Sequence, residues 1–229
     1  MADPNLILSK LEHGLIVSCQ SAPPLSGPQF AGPIAQAAVL GGAVGIRVNG
    51  PADIAAVRAL VDVPIIGIFK QRHPDYQIYI TPTLEAALAV IEAGADIVAL
   101  DGSPAPRPDG RSLAEVITAI HDRGVLVMAD ISTLEEGLGA VQAGADIVAS
   151  TLSGYTPYSP KLTGPDLDLI SDLVREAGRP VIAEGRYNTP DDMRAAFERG
   201  AFAVVVGRAI TEPQLITRRF VEAIPQTKR

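Results

Sequence analysis

Eight short apolar runs in this chain each end on residues able to do chemistry: Gln20, Arg47, Lys70, Asp101, Asp130, Ser150-Thr151, Glu184 and Arg208. Lys70 stands out among them. It ends the run IIGIF, so apolar neighbours flank its stem, and desolvation there lowers a lysine pKa toward values useful for a base or a Schiff base. Glu184 ends the run VIA. An amine opposed to a carboxylate suits a proton-out, proton-in reaction at carbon, one group acting on each face. An ion pair with no catalytic role is the plainer reading of the same two residues. Two glycine-bearing stretches, EGRYNTP (184–190) and GRAIT (207–211), point to an anion instead. Gly185 and Gly207 let backbone N–H groups approach a phosphate closely, and Arg186 or Arg208 supplies charge.

The elements that must position these residues are written repeatedly. AGADIVALD (93–101) recurs as AGADIVAST (143–151), 50 residues further on, with weaker copies GGAVGIRVN (41–49) and RGAFAVVVG (199–207). Each follows an apolar-periodic segment, so the unit is a helix, a Gly-Ala turn and a strand apolar on both faces, as a helix-covered parallel sheet requires. Eight strands can be counted, ending near 20, 47, 70, 101, 130, 151, 184 and 207. This predicts an α/β fold, a (β/α)8 TIM barrel forming one domain over 1–229, preceded by a short helix from Asp3-Pro4 whose Leu6, Ile7 and Leu11 share a face. In such barrels the active site lies at the carboxyl ends of the strands, and phosphate commonly sits after strands seven and eight. Lys70 and Glu184 should then face one another across one mouth.

Connections carry further expectations. SAPPLSGPQFAGP (21–33) reads as a loop. The stretch QRHPDYQIYITPT (71–83) exceeds the usual 2–6 residues of a βα connection and points to function or a lid. Thr133 and Glu136 make a capping box, Thr189-Pro190 starts another helix, and a last helix spans about Thr211 to Ile224.

Composition excludes several classes. The net charge of −7 argues against nucleic acid or an anionic membrane as partner, because both need a basic face. A single cysteine, Cys19, excludes an internal disulfide and fits a reducing, cytoplasmic setting; it reads as core filling rather than a nucleophile. The N-terminus lacks the pattern of a signal peptide. His13, His73 and His121 do not sit at metal-ligand spacing, and no GxGxxG or P-loop occurs, so no metal, dinucleotide or other cofactor is expected.

The strand ends taken together resemble the N-acylglucosamine-6-phosphate 2-epimerase family. The resemblance covers nearly the whole chain through SCQ (18–20), GIR (45–47), PIIGIFK (64–70), YITPT (79–83), ALD and RPDG (99–101, 107–110), MADIST (128–133), TLSGYT (151–156), AEGRYNTP (183–190) and VVVGRAIT (204–211). One departure is visible: GSPAP stands between Asp101 and RPDG where the family usually carries a further Thr and Arg. The resemblance implies cofactor-independent epimerisation at C2 of N-acetylmannosamine 6-phosphate in sialic acid catabolism. It implies Lys70 and Glu184 as the proton-transfer pair. It implies that Gln20, Arg47 and Asp130 hold the sugar, with Arg47 stabilising oxyanion charge, and that Gly185, Gly207 and Arg208 hold the phosphate. A homodimer is a further expectation of the resemblance and of symmetry. The alternatives to be weighed are a Schiff-base aldolase using Lys70 and a non-catalytic phosphosugar-binding barrel. A pyridoxal-phosphate racemase would need a second domain that this length does not provide.

Overall fold

The computed structural model describes residues 3–225, and within them the chain closes an eight-stranded parallel barrel in sequence order. The strands are β1 (Leu15–Cys19), β2 (Gly45–Asn49), β3 (Ile65–Ile68), β4 (Ile97–Asp101), β5 (Leu126–Asp130), β6 (Ile147–Ala149), β7 (Val181–Glu184) and β8 (Ala203–Val206). Helix α1 (Pro4–Leu11) precedes β1, and α2 (Pro28–Leu40) and α3 (Pro51–Arg58) follow β1 and β2. Then come α4 (Leu84–Glu92), α5 (Leu113–His121), α6 (Leu134–Gln142), α7 (Leu167–Glu176) and α8 (Pro190–Glu198), one after each strand from β3 to β7. The TIM barrel read from the repeats is the fold observed.

Side chains alternate along a strand, so each strand feeds two cores. Val17, Ile46, Val48, Val98, Leu100, Val127, Val148 and Val204 face outward into the helices. Ile16, Ile66, Ile68, Ile97, Ala99, Met128, Ile147, Ile182 and Val205 fill the barrel interior, joined from below by Ile7 and Leu11 of α1. That helix closes the floor, and its two buried side chains contribute roughly 1.5–3 kcal/mol each. Leu6, expected on the same face, is 52% exposed; at i−1 from Ile7 it points about a quarter-turn away.

The helices pack tightly on the sheet. A Cβ at Gly67 in β3 would lie 2.5 Å from Val90 Cγ1 of α4, so only glycine admits that approach.

Several connections differ from the sequence reading. The second helix starts at Pro28 and contains Pro33, so the loop after β1 ends at Gly27. Pro28 stands in the first turn, where its missing N–H is no loss, and Pro33 removes one rung a turn later. The terminal helix, α10 (Pro213–Glu222), starts two residues later than read and is preceded by a separate short helix, α9 (Arg208–Thr211). Glu212 between them, at φ −115° and ψ 85°, lies outside the helical region that a following proline disfavours, and it breaks the run. Thr133 caps α6, but Glu136 does not bond the cap's own N–H; its carboxylate takes the N–H and hydroxyl of Ser132 at 2.7 and 2.8 Å. Thr189 caps α8 with Pro190 in its first turn, as read, and Asp192 completes a capping box there.

The long connection 71–83 folds back onto the barrel. β3 and β4 are paired only at Ile66–Ile97 and Gly67–Val98, whereas β4 and β5 stay paired up to Asp101–Asp130. Into the gap at the upper end slips the segment Tyr79–Thr81. Ile80 bridges Lys70 in antiparallel sense, the Thr81 N–H donates to the Phe69 carbonyl, and the Asp101 N–H donates to the Ile80 carbonyl. Among the described residues no helix is long and apolar enough to cross a membrane.

Candidate active site

The inward parity of the barrel carries past the strand ends. Since Ile16, Ile66, Ile97, Met128, Ile147, Ile182 and Val205 point inward, so do the positions an even number of residues beyond them. Those positions include Gln20, Lys70, Asp101, Asp130, Thr151, Glu184 and Gly207, and Arg47 shares the parity through its outward neighbours Ile46 and Val48. Six of them, Gln20, Arg47, Lys70, Thr151, Glu184 and Gly207, line a cavity of about 450 Å³ at the upper end.

A buried charge network forms its base. Arg47 in β2 is fully buried and grips Asp130 of β5 with both guanidinium ends, Nη1 to Oδ1 at 3.1 Å and Nη2 to Oδ2 at 2.5 Å. Its Nη1 also pairs with Glu184 Oε2. Thr151 ties the carboxylates together, its hydroxyl lying 2.6 Å from Asp130 Oδ1 and 3.1 Å from Glu184 Oε2. Burial opposes the Arg47 charge, but attraction to Asp130 and Glu184 outweighs it and raises its pKa, so the guanidinium stays charged. Burial raises the Glu184 pKa above the ordinary carboxylate value; Arg47 opposes that shift and Asp130 adds to it. A carboxyl held this way moves toward the range where proton exchange is easy.

Lys70 sits above this base with its backbone N–H fixed by Asn49 Oδ1 at 2.8 Å. Part of the residue opens to the mouth, yet the walls displace enough water to lower its pKa, and Arg47 lowers it further. Glu184 and Asp130 pull the other way without reversing the shift. Among the described residues the Lys70 ammonium has no salt-bridge partner. It is therefore not spent on closing the barrel.

The other expected residues divide. Gln20 lines the cavity, donating to Ser18 Oγ at 2.8 Å while its Oε1 is left without a partner. Asp130 is fully buried, lies outside the cavity lining and bonds Arg47. Arg47 reaches the cavity wall, but both of its terminal nitrogens are engaged by carboxylates. Asp101 turns into its own loop, accepting the Ser103 N–H at 2.9 Å. Gly185 has φ +113°, a conformation open to glycine, and lines the cavity together with Gly207 and Arg208. Arg208 keeps its side chain 72% exposed beside Glu212. Arg186 is committed elsewhere: it donates to the carbonyls of Gly164 and Ser153 and lies over the Tyr155 ring. Arg208 pairs with Glu212 through Nε at 3.2 Å, and of the two arginines it is the one exposed enough to meet an anion.

Residues outside the sequence reading join them. Tyr79 and Ile80 line the wall beside Lys70, and Tyr155 lines the opposite rim. Tyr79 and Ile80 were signalled by the length of the 71–83 connection and by the YITPT motif, without a role for either.

A family model described as "Putative N-acetylmannosamine-6-phosphate epimerase" (NanE) matches residues 32–226. The chain belongs to this family. Within the NanE family it is 51% identical over 226 residues to a protein of Caldanaerobacter subterraneus subsp. tengcongensis, covering 97% of this chain and 95% of that one. It is 47% identical to a protein of Clostridioides difficile, over 95% of this chain and 99% of the other. Both carry the name "Putative N-acetylmannosamine-6-phosphate 2-epimerase". The solved N-acetylmannosamine-6-phosphate 2-epimerase of Clostridium perfringens superposes with a TM-score of 0.93 at 42% identity, covering 98% of this chain and 99% of that chain. A thiamine phosphate pyrophosphorylase from Pyrococcus furiosus, at 20% identity and a TM-score of 0.58, shares the fold alone.

Proposed function

We propose that this NanE-family barrel is an isomerase that interconverts N-acetylmannosamine 6-phosphate and N-acetylglucosamine 6-phosphate by inverting C2, within sialic acid breakdown. The single observation that carries the reading is the juxtaposition at one mouth of an unpaired Lys70 with lowered pKa and a Glu184 with raised pKa. In the opened sugar, C2 lies next to the C1 aldehyde, so its proton is acidic and the enolate left behind can be reprotonated from either side. One group removes the proton and the other returns one to the opposite face. Both pKa shifts narrow the gap between the pair and so ease the two transfers.

The rest of the site serves this pair. Arg47, Asp130 and Thr151 hold the Glu184 carboxylate in one orientation, and the Arg47 charge favours negative charge developing nearby. Gln20, with a spare amide oxygen, takes a sugar hydroxyl or the acetamido N–H. Gly185, Gly207 and Arg208 receive the 6-phosphate at the rim. The chemistry draws on side chains alone. Two molecules form a homodimer and act in the cytoplasm.

Incubation with N-acetylmannosamine 6-phosphate in D₂O, followed by NMR, tests the reading. Deuterium appearing at C2 of both epimers is the expected result, and no turnover by folded protein overturns it. Borohydride trapping separates the Schiff-base aldolase: an adduct on Lys70 favours that reaction, and none is expected.

A further inference from the structure

The RPDG turn, 107–110, lies outside the cavity, yet its first residue is buried like a core side chain: Arg107 is 3% exposed. It makes no ion pair among the described residues. Its guanidinium donates instead to two backbone carbonyls, Thr81 at 3.3 Å from Nη1 and Asp101 from Nη2. Thr81 is the last residue of the wedge between β3 and β4 and has φ +45°, a left-handed conformation that costs a β-branched residue energy. The threonine hydroxyl is fixed as well, donating to the Ala99 carbonyl at 2.6 Å and accepting the Phe69 N–H at 3.1 Å. Two residues on, Asp109 accepts the Leu84 N–H at 2.8 Å and so holds the start of α4. The turn therefore clamps both ends of the strained corner Thr81–Leu84. Upstream of that corner, Ile80 bridges Lys70, and the Gln71 N–H donates to the Tyr79 carbonyl at 2.9 Å.

We infer that Arg107 is a positioning residue for the reaction: by clamping the Tyr79–Thr81 wedge to the end of β4, it fixes the height and direction of Lys70 in the mouth. Burying a guanidinium without a carboxylate partner is costly, and its bonds to two carbonyls offset that cost only in part. Here it holds a segment that fills a gap in the barrel wall directly beside Lys70. This rests on the role proposed above for Lys70, so its test includes a measurement that needs no substrate.

Arg107→Lys keeps the charge but cannot span two carbonyls in a fork. The expected result is a kcat about 10- to 100-fold lower with KM little changed, as a displacement on the order of 1 Å at a catalytic group produces. The 13C-methyl NMR titration of reductively methylated Lys70 should show its pKa rising toward the ordinary lysine value as the loosened wedge admits water. A second variant, Asp109→Asn, should move both readouts in the same direction by less. Unchanged kcat and an unchanged Lys70 titration in folded Arg107→Lys overturn the inference. So does loss of thermal stability with the titration unmoved, which is what a purely structural Arg107 gives. If the wild-type protein turns over no sugar phosphate, the proposed function fails, while the titration still decides whether Arg107 sets the surroundings of Lys70.

Discussion

The two strongest copies of the repeat, α4–β4 and α6–β6, agree at the bottom of the barrel and part at the top. At the bottom, Asp96 accepts the Ile65 N–H at 2.8 Å and returns its own N–H to the Ile65 carbonyl, and it pairs with Arg58. Asp146 does the same to Val127 at 2.8 Å and pairs with His121. Each aspartate stitches the start of its strand to the start of the preceding one and bonds a side chain from the helix one unit back, Arg58 of α3 or His121 of α5. At the top the likeness ends. Asp101 folds into its own loop, while Thr151 joins Arg47, Asp130 and Glu184. The shared end does one mechanical job in both copies. The divergent end is where each copy takes up a separate task.

Substitutions at the two ends should therefore fail in different ways. The largest effect is expected at the top: Lys70→Ala should lower kcat by about 10²- to 10⁴-fold while the thermal midpoint barely moves. A large drop in that midpoint would erase the contrast. Glu184→Gln comes next, with kcat down by about 10²-fold or more. The pH–rate profile sharpens the comparison further. Glu184 titrates above the ordinary carboxylate value and Lys70 below the ordinary lysine value, so the bell should be narrower than free side chains would give. Its acid limb moves up, its alkaline limb moves down, and Glu184→Gln should abolish the acid limb. At the bottom, Asp146→Ala should cost about 1–3 kcal/mol of stability by stranding the Val127 N–H, with kcat nearly unchanged in chemical denaturation and rate assays run side by side. Asp96→Ala should match it, since the two stitches are alike. Smallest of all, Thr151→Val removes one hydroxyl from the network, worth about 1 kcal/mol, and should show as a slight displacement of the acid limb.

The sequence made this division partly readable. The copies of the repeat sit at β2, β4, β6 and β8, while Lys70 follows β3 and Asp130 and Glu184 end β5 and β7. A period of two, continued past the strand ends, was enough to put Gln20, Arg47, Lys70, Asp130, Thr151 and Glu184 on the inward side. What escaped were relations across the barrel. Nothing local reveals that Arg47 and Asp130 meet and pair with one another across the barrel. The Tyr79–Thr81 wedge escaped for the same reason: a gap between β3 and β4 is a property of the closed sheet. Other misses were local and avoidable. The break at Glu212 follows from Pro213, and Pro28 marks the start of α2 as plainly as Pro51 marks that of α3.

Helix α1 gives the site one more property. Ile7 and Leu11 stopper the barrel from beneath, and layers of isoleucine, alanine and methionine lie between them and the charge network. The site is thus a blind well whose exchange with solvent runs through its rim. A proton lifted from carbon leaves for bulk water past Lys70 and the rim loops, or it is handed back. How much solvent isotope enters the product then becomes a gauge of how often the rim stands open during one turnover.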